Sequence, residues 1–342
     1  MKLALLLGAM ATTFAAPALA DDEPKPLFAQ DAPLTITIDG PIRKISRSAA
    51  RSTDPYPATL TIDGETIPIT LAARGLSRRQ PTSCSFPPLR VQLTGKPTET
   101  SPFAGQKTLK LVTHCRERGD FERYALREYA AYRLYNRLTS ESLRVRLLRV
   151  RYLDAGKDVS EHWGFFIEDI DDAAERMGGK ELEVPGVSYA ALDSADASRV
   201  AMFRYMISDL DFDTAQGPEG TDCCHNSKLV GETKESRSAL IPVPYDFDFS
   251  GFVNAPYALP PESIGVRSVR ERHYRGLCRD NETARQAARE FIAARPALEA
   301  EIRGITQIEA DDRDHLIGFI ADFFDDVATP DLVEKKLLKD CR

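Results

Sequence analysis

Residues 121–138 read FERYALREYAAYRLYNRL. Tyr124, Leu126, Tyr129, Ala130, Tyr132, Leu134 and Leu138 recur at mixed spacings of three and four, with no Gly or Pro between them, which predicts a helix. Upstream the pattern changes to period two. Residues 35–39 (TITID) alternate, and so do residues 58–62 and 65–69 on either side of Asp63-Gly64, the signature of a β-hairpin. Further strands are expected at 89–93 and 108–113. Downstream of the helix, residues 143–153 alternate and residues 163–168 (WGFFIE) form an apolar run ending in an acid, so two strands should pair across 154–161. A helical stretch over 195–208 precedes an irregular polar segment at 209–226, strands at 227–230 and 240–243, and helical patterns over 282–339 interrupted at Pro296, Gly304 and Pro330. Strands, one long helix, more strands and then mostly helices predict an α+β chain of two lobes. The strand-rich N-lobe should span 34–169 with the long helix inside it, and the helical C-lobe 170–342.

The chain has 342 residues, 42% hydrophobic and 28% charged, which fits a folded globular protein and excludes a disordered, collagenous or polytopic membrane chain. Residues 1–20, MKLALLLGAMATTFAAPALA, have a cationic start at Lys2, an apolar run over 3–16 and small residues at Ala18 and Ala20. This reads as a secretory signal cleaved after Ala20, and implies a periplasmic or secreted protein. The apolar run is shorter than the roughly 20 residues of a spanning helix, and nothing like it follows, so no membrane span is expected. Residues 21–33 are polar and proline-containing, a short flexible lead-in. Without Lys2 the chain carries 44 basic against 52 acidic residues, a net charge of −8, which argues against nucleic acid as a partner. Two local basic clusters remain, Arg74 to Arg79 and Arg267 to Arg275; the second reads as a solvated face.

Export places the six cysteines in an oxidising compartment, so disulfides are the default expectation. Cys84 should pair with Cys115, since both lie beside neighbouring predicted strands, and one of Cys223 or Cys224 with Cys278. A zinc site is the rival, but Cys223-Cys224-His225 lacks the usual ligand spacing.

Polar chemistry gathers in two segments: Asp209-Leu-Asp211-Phe-Asp213 with His225-Asn226-Ser-Lys228, and Tyr245-Asp246-Phe-Asp248-Phe-Ser250. Acids set among aromatic residues are costly to bury unless a cation meets them. Magnesium takes hard oxygen ligands, typically one or two carboxylates with waters and substrate phosphates. Asp246, Asp248 and the amide oxygen of Asn226 supply that donor type, and Asp211 is a further carboxylate able to take a proton from an attacking hydroxyl.

Arg74-Gly75-Leu76-Ser77, the strand Lys110-Leu-Val-Thr-His114 leading to Arg127-Glu128, the run Phe165-Phe-Ile-Glu168, His225-Asn226 and Tyr245-Asp246-Phe-Asp248 together resemble the spore-coat CotH-like family of secreted atypical protein kinases. The resemblance spans about 71–252 and implies a two-lobed, protein-kinase-like fold that uses ATP and magnesium. It implies that Asp211 is the catalytic acid, that Asn226 and Asp246 hold magnesium, and that Asp248 supports or shares that role. Lys110 with Glu128 looks like the lysine and helix glutamate that fix nucleotide phosphates, with Lys107 an alternative lysine and Arg74 or Arg78 alternative phosphate-binding cations. Leu76 stands where the family more often has Asn, and residues 214–224 lengthen the gap between Asp211 and Asn226; a catalytically inactive relative would show such changes too. The expected function is an exported phosphotransferase acting on a protein or cell-envelope component. A kinase-shaped binding or structural protein of the envelope is the alternative, and a metal-dependent hydrolase on the same carboxylates is a third.

Overall fold

Alternating side chains build the first half of the chain. The computed structural model describes residues 23–117 and 121–342, so the expected signal segment lies outside the described residues. Seven strands close into a barrel: β1 (Leu34–Asp39), β2 (Tyr56–Ile62), β3 (Glu65–Ala73), β4 (Leu89–Leu93), β5 (Thr108–Val112), β6 (Val145–Asp154) and β7 (Lys157–Ile167), in the order β1-β2-β3-β4-β5-β7-β6. All neighbours are antiparallel except β1 and β6, whose parallel pairing closes the ring. Ile36, Ile38, Leu60, Val91, Leu109 and Phe166 are among the side chains that fill it. At the β2–β3 turn Asp63 and Gly64 both take positive φ, as the sequence predicts for a two-residue hairpin whose twist matches its strands. The β6–β7 turn is tighter than the sequence suggests. Ala155 and Gly156 also take positive φ, so β7 starts at Lys157 and the longer connection expected over 154–161 is instead strand.

Helix α1 (Ile42–Ser48) follows β1, and α2 (Glu122–Leu138) is the helix read from residues 121–138. Tyr129 and Tyr132 of α2 set their rings 5.8 and 5.6 Å from Phe165 of β7, which joins the barrel to the second half. That half is mainly helical: α3 (Ile170–Arg176), α4 (Ser194–Met206), α5 (Asn281–Gly304), α6 (Ala310–Asp326) and α7 (Pro330–Lys336), with a small sheet of β8 (Lys180–Leu182), β9 (Ser227–Gly231) and β10 (Ile241–Pro244). The chain is thus α+β, strand-rich first and helical later. Phe203, Phe247, Phe291 and Phe323 are fully buried at the centre of the second core.

Three expectations are corrected. Pro296 does not interrupt α5, which runs for 24 residues; Phe291, Leu298 and Ile302 stay buried, and their burial offsets a proline cost of about 3 kcal/mol. Pro330 does open a new helix, at its first position, with Thr329 as N-cap. Cys84–Cys115 forms as expected, but Cys278 pairs with Cys341 and Cys223 with Cys224. The C-terminal tail lies along 276–278 through the Cys278 N–H to Arg342 O and Arg342 N–H to Gly276 O bonds, which brings Cys341 to Cys278 and leaves the two adjacent cysteines to each other. With those thiols oxidised, the rival zinc site at Cys223-Cys224-His225 has no thiolate ligands. The third correction concerns the basic run 267–275. Arg272 donates to the main-chain oxygens of Met206 in α4 and Phe319 in α6, and Arg275 to those of Leu210 and Phe212 in the loop after α4, so these two tie elements together rather than form a solvated face.

Candidate active site

Helix α2 presents Glu128 and Tyr132, four residues apart, to the same place. After β3 the chain turns at Gly75, whose φ of +81° suits a residue without Cβ, and a short 3-10 turn (Ser77–Arg79) carries Arg78 inward. The Arg78 guanidinium lies 3.1 Å from Glu128 Oε2, 3.2 Å from Asp246 Oδ1 and 3.2 Å from Asp248 Oδ2. Glu128 and Asp248 are buried, whereas the Asp246 side chain is 38% exposed. Burial pushes the Glu128 and Asp248 carboxyls up, against the pull of Arg78. Burial opposes the Arg78 charge too, yet Asp248 and Glu128 together hold its pKa well above the ordinary value. The Tyr257 hydroxyl also meets Asp248.

Glu128 is therefore met by Arg78, one of the alternative cations, and not by Lys110. Lys110 projects from β5 with its ammonium 5.6 Å from the centre of the Tyr245 ring, and makes no ion pair or hydrogen bond among the described residues. Arg74 likewise has no ion pair among them, and its Nε is buried without a hydrogen-bond partner. Burial lowers both pKa values, and the two cations repel each other enough to lower Lys110 further, while Asp246 partly supports Arg74. Lys107 is exposed and its main chain pairs with Leu93.

The acidic loop after α4 is organised by Arg204, a fully buried residue. Its guanidinium holds the Asp209 carboxylate and the main-chain oxygen of Asn226, and reaches Tyr245 O at 3.0 Å. Asp209 in turn accepts the Asp211 N–H at 3.0 Å. Residues 214–224 do not separate Asp211 from Asn226, because Asp213 caps Ala215 N and Gln216 N, and main-chain bonds from Asp213 N to His225 O and from His225 N to Gln216 O fold the segment back on itself. The Asn226 amide then donates to Asp211 O at 2.6 Å and Oδ2 at 3.1 Å, and His225 Nε2 lies 2.7 Å from Asp211 Oδ1. Burial pulls the Asp211 carboxyl up, but the His225 and Asn226 bonds and the field of Arg204 hold it below the usual range. Tyr245 N–H reaches Asn226 O at 3.1 Å, which sets Asp246 beside this loop.

Asn226 and Asp246 both have left-handed backbone, φ +51° and +60°, which among non-glycine residues Asn and Asp adopt most readily. Tyr132 OH accepts the Asp246 N–H at 2.9 Å and so fixes that turn. Among the described residues no hydrogen bond reaches Asp246 Oδ2 or Asn226 Oδ1. Both are of the hard donor type that magnesium takes, and Arg78 already pairs with Asp248 Oδ2 and with Asp246 Oδ1. Sequence reading gave no role to Arg204 or His225. The one signal for Arg204 was a cation inside the otherwise apolar run Val200-Ala-Met-Phe-Arg-Tyr-Met206.

A separate cavity of about 570 Å³ is lined by Asp31, Arg133 and Glu301, where Arg133 is paired with both acids. It lacks the unmatched charge of the Arg74–Lys110 region.

No protein-family model matches the chain, and no curated protein does. Among solved structures it is similar to the crystal structure of a Helicobacter pylori proinflammatory kinase, CtkA, with a TM-score of 0.38 and 8% identity over 84% of this chain and 94% of that one.

Proposed function

We propose that the chain is an exported, kinase-like phosphotransferase that binds ATP with magnesium and acts on a protein or cell-envelope substrate. The observation that carries this reading is the pair of half-buried cations with no ion pair among the described residues, Arg74 and Lys110, near the partly exposed acid Asp246. A cation half withdrawn from water without an ion pair is costly, and an anion of several charges such as a triphosphate offsets that cost. In this reading Arg74 and Lys110 receive the phosphates, and Tyr245 walls the site beneath Lys110. Magnesium, held by Asp246 and Asn226, would neutralise charge on the phosphates. Asp211 accepts the proton of the attacking hydroxyl, with His225 and Asn226 fixing its carboxylate. Arg78, gripped by Glu128 and Asp248, keeps Asp246 in place. Export rests on residues 1–20 and accords with three disulfides and with no helix of the described residues being long and apolar enough to cross a membrane.

The test is phosphate transfer from γ-labelled ATP with magnesium chloride, to the chain itself or to added envelope protein. The reading expects transfer by the wild type and a loss of at least about 100-fold in Asp211→Asn, the scale of general-base catalysis. Equal rates would overturn the role of Asp211. One observation favours the inactive, kinase-shaped binding protein: Glu128 and Asp248 are both engaged by an arginine, which leaves Lys110 without its glutamate. Magnesium-dependent ATP binding without transfer to any acceptor would select that reading.

A further inference from the structure

The geometry points to a divalent transition-metal site of the zinc class formed by His114, Glu117 and His162, none of which takes part in the phosphotransfer reading. His114 follows β5, His162 lies on the paired strand β7, and Glu117 ends the described stretch before α2. Their ligand atoms all lie within 4.8 Å of one another. Glu117 Oε1 is 3.4 Å from His114 Nε2, and Glu117 Oε2 is 3.4 Å from His162 Nε2. Metal–ligand bonds of about 2.0–2.1 Å in a tetrahedron place ligand atoms about 3.3–3.4 Å apart, the separation each imidazole already has from its own oxygen of the Glu117 carboxylate.

A second observation points to a ligand independently. His114 is fully buried; its Nδ1 has no hydrogen-bond partner, and its Nε2 has only the 3.4 Å ion-pair contact with Glu117 Oε1. Its ring stacks on His162 at 3.7 Å and packs against Phe86 at 4.4 Å, an environment that meets its faces and leaves Nε2 turned to the Glu117 carboxylate. Glu122 supplies the outer support that metal-bound imidazoles typically have. Its Oε2 lies 3.2 Å from His162 Nδ1 and accepts the Trp163 N–H at 3.0 Å, which orients the ring and leaves Nε2 toward Glu117. The Cys84–Cys115 disulfide fixes the residue after His114, so the donors are held before any ion arrives. Two imidazoles and one carboxylate suit zinc-class ions better than magnesium, and the exposed side of Glu117 leaves a fourth position to water. All six cysteines are in disulfides and offer no competing thiolate.

The test titrates the full chain, stripped with a chelator, with zinc sulfate by calorimetry, and with cobalt(II) chloride by visible absorption. The expected result is one ion per chain and a tetrahedral cobalt spectrum. Glu122→Gln should weaken zinc about 10–100-fold, and His162→Gln or Glu117→Gln by more. Replacing buried His114 risks unfolding, so the case rests on His162 and Glu117, which reach solvent, with circular dichroism confirming their fold. No saturable binding by the wild type, or unchanged zinc affinity in both His162→Gln and Glu117→Gln, overturns the proposal.

Discussion

Replacing Arg78 by Met removes the cation shared by Glu128, Asp246 and Asp248 while keeping most of the apolar stem. Two of these carboxylates are buried, at 1% and 5% side-chain exposure, and would be left without a counter-charge. Breaking a buried ion pair from one side costs about 3–5 kcal/mol, a large part of the 5–15 kcal/mol that ordinarily holds a domain folded. The expected loss at pH 7 is therefore about 4 kcal/mol, read by urea unfolding through the fluorescence of Trp163, the one tryptophan. The sign of the pH dependence follows from the raised pKa values of Glu128 and Asp248. The folded state keeps protons that the unfolded chain releases, so these acids lower stability as pH rises from about 4 toward their folded values. Arg78 moderates that penalty, and without it both values move higher. The gap between wild type and Arg78→Met should thus be smallest near pH 4 and widen toward neutrality. A loss below about 1 kcal/mol at pH 7, or a gap that ignores pH, would refute the view that this arginine neutralises the cluster.

Three further outcomes are expected. Arg204→Met should cost about 3–5 kcal/mol by stranding Asp209, and adding Asp209→Asn should recover about 2 kcal/mol of it; strictly additive losses in urea unfolding would remove the ion pair as organiser of the loop. Asp246→Asn should leave the unliganded melting temperature nearly unchanged while abolishing the extra stabilisation by ATP with magnesium, about 2.7 kcal/mol at 100 times Kd, as read by thermal shift. Replacing both Cys278 and Cys341 by Ser opens a link across 63 residues and should cost about 4 kcal/mol by chain entropy; peptide mapping without reduction checks the pairing itself.

Period-two alternation and the Asp63-Gly64 turn made the barrel strands legible, because each strand has one face in the core. The period of residues 121–138 did the same for α2. Helices α1 and α3, with seven residues each, and β8, with three, are too short for a period to show, and tertiary burial decides them. Cysteine partners were legible only where neighbouring strands fixed them, as at Cys84 and Cys115; the tail that carries Cys341 to Cys278 is placed by main-chain bonds with no local signature. The order of acidic segments brought attention to Asp211, Asn226 and Asp246; the folded-back segment 214–224 joins the first two, and the Tyr245–Asn226 main-chain bond sets Asp246 beside them. Which cation meets Glu128 was not legible. Arg78 and Lys110 stand 50 and 18 residues from it, the first in the turn after β3 and the second on β5, and only the inward turn after Gly75 decides between them.

Calorimetric titration of the full chain with ATP, with and without magnesium chloride, decides whether Arg74 and Lys110 receive a polyphosphate. The expected result is saturable, magnesium-enhanced binding, weakened about 10–100-fold in Arg74→Met and in Lys110→Met, the scale of one charge-assisted hydrogen bond of about 1.5–3 kcal/mol. Absence of binding at millimolar ATP, or equal affinity in the wild type and both variants, would contradict it.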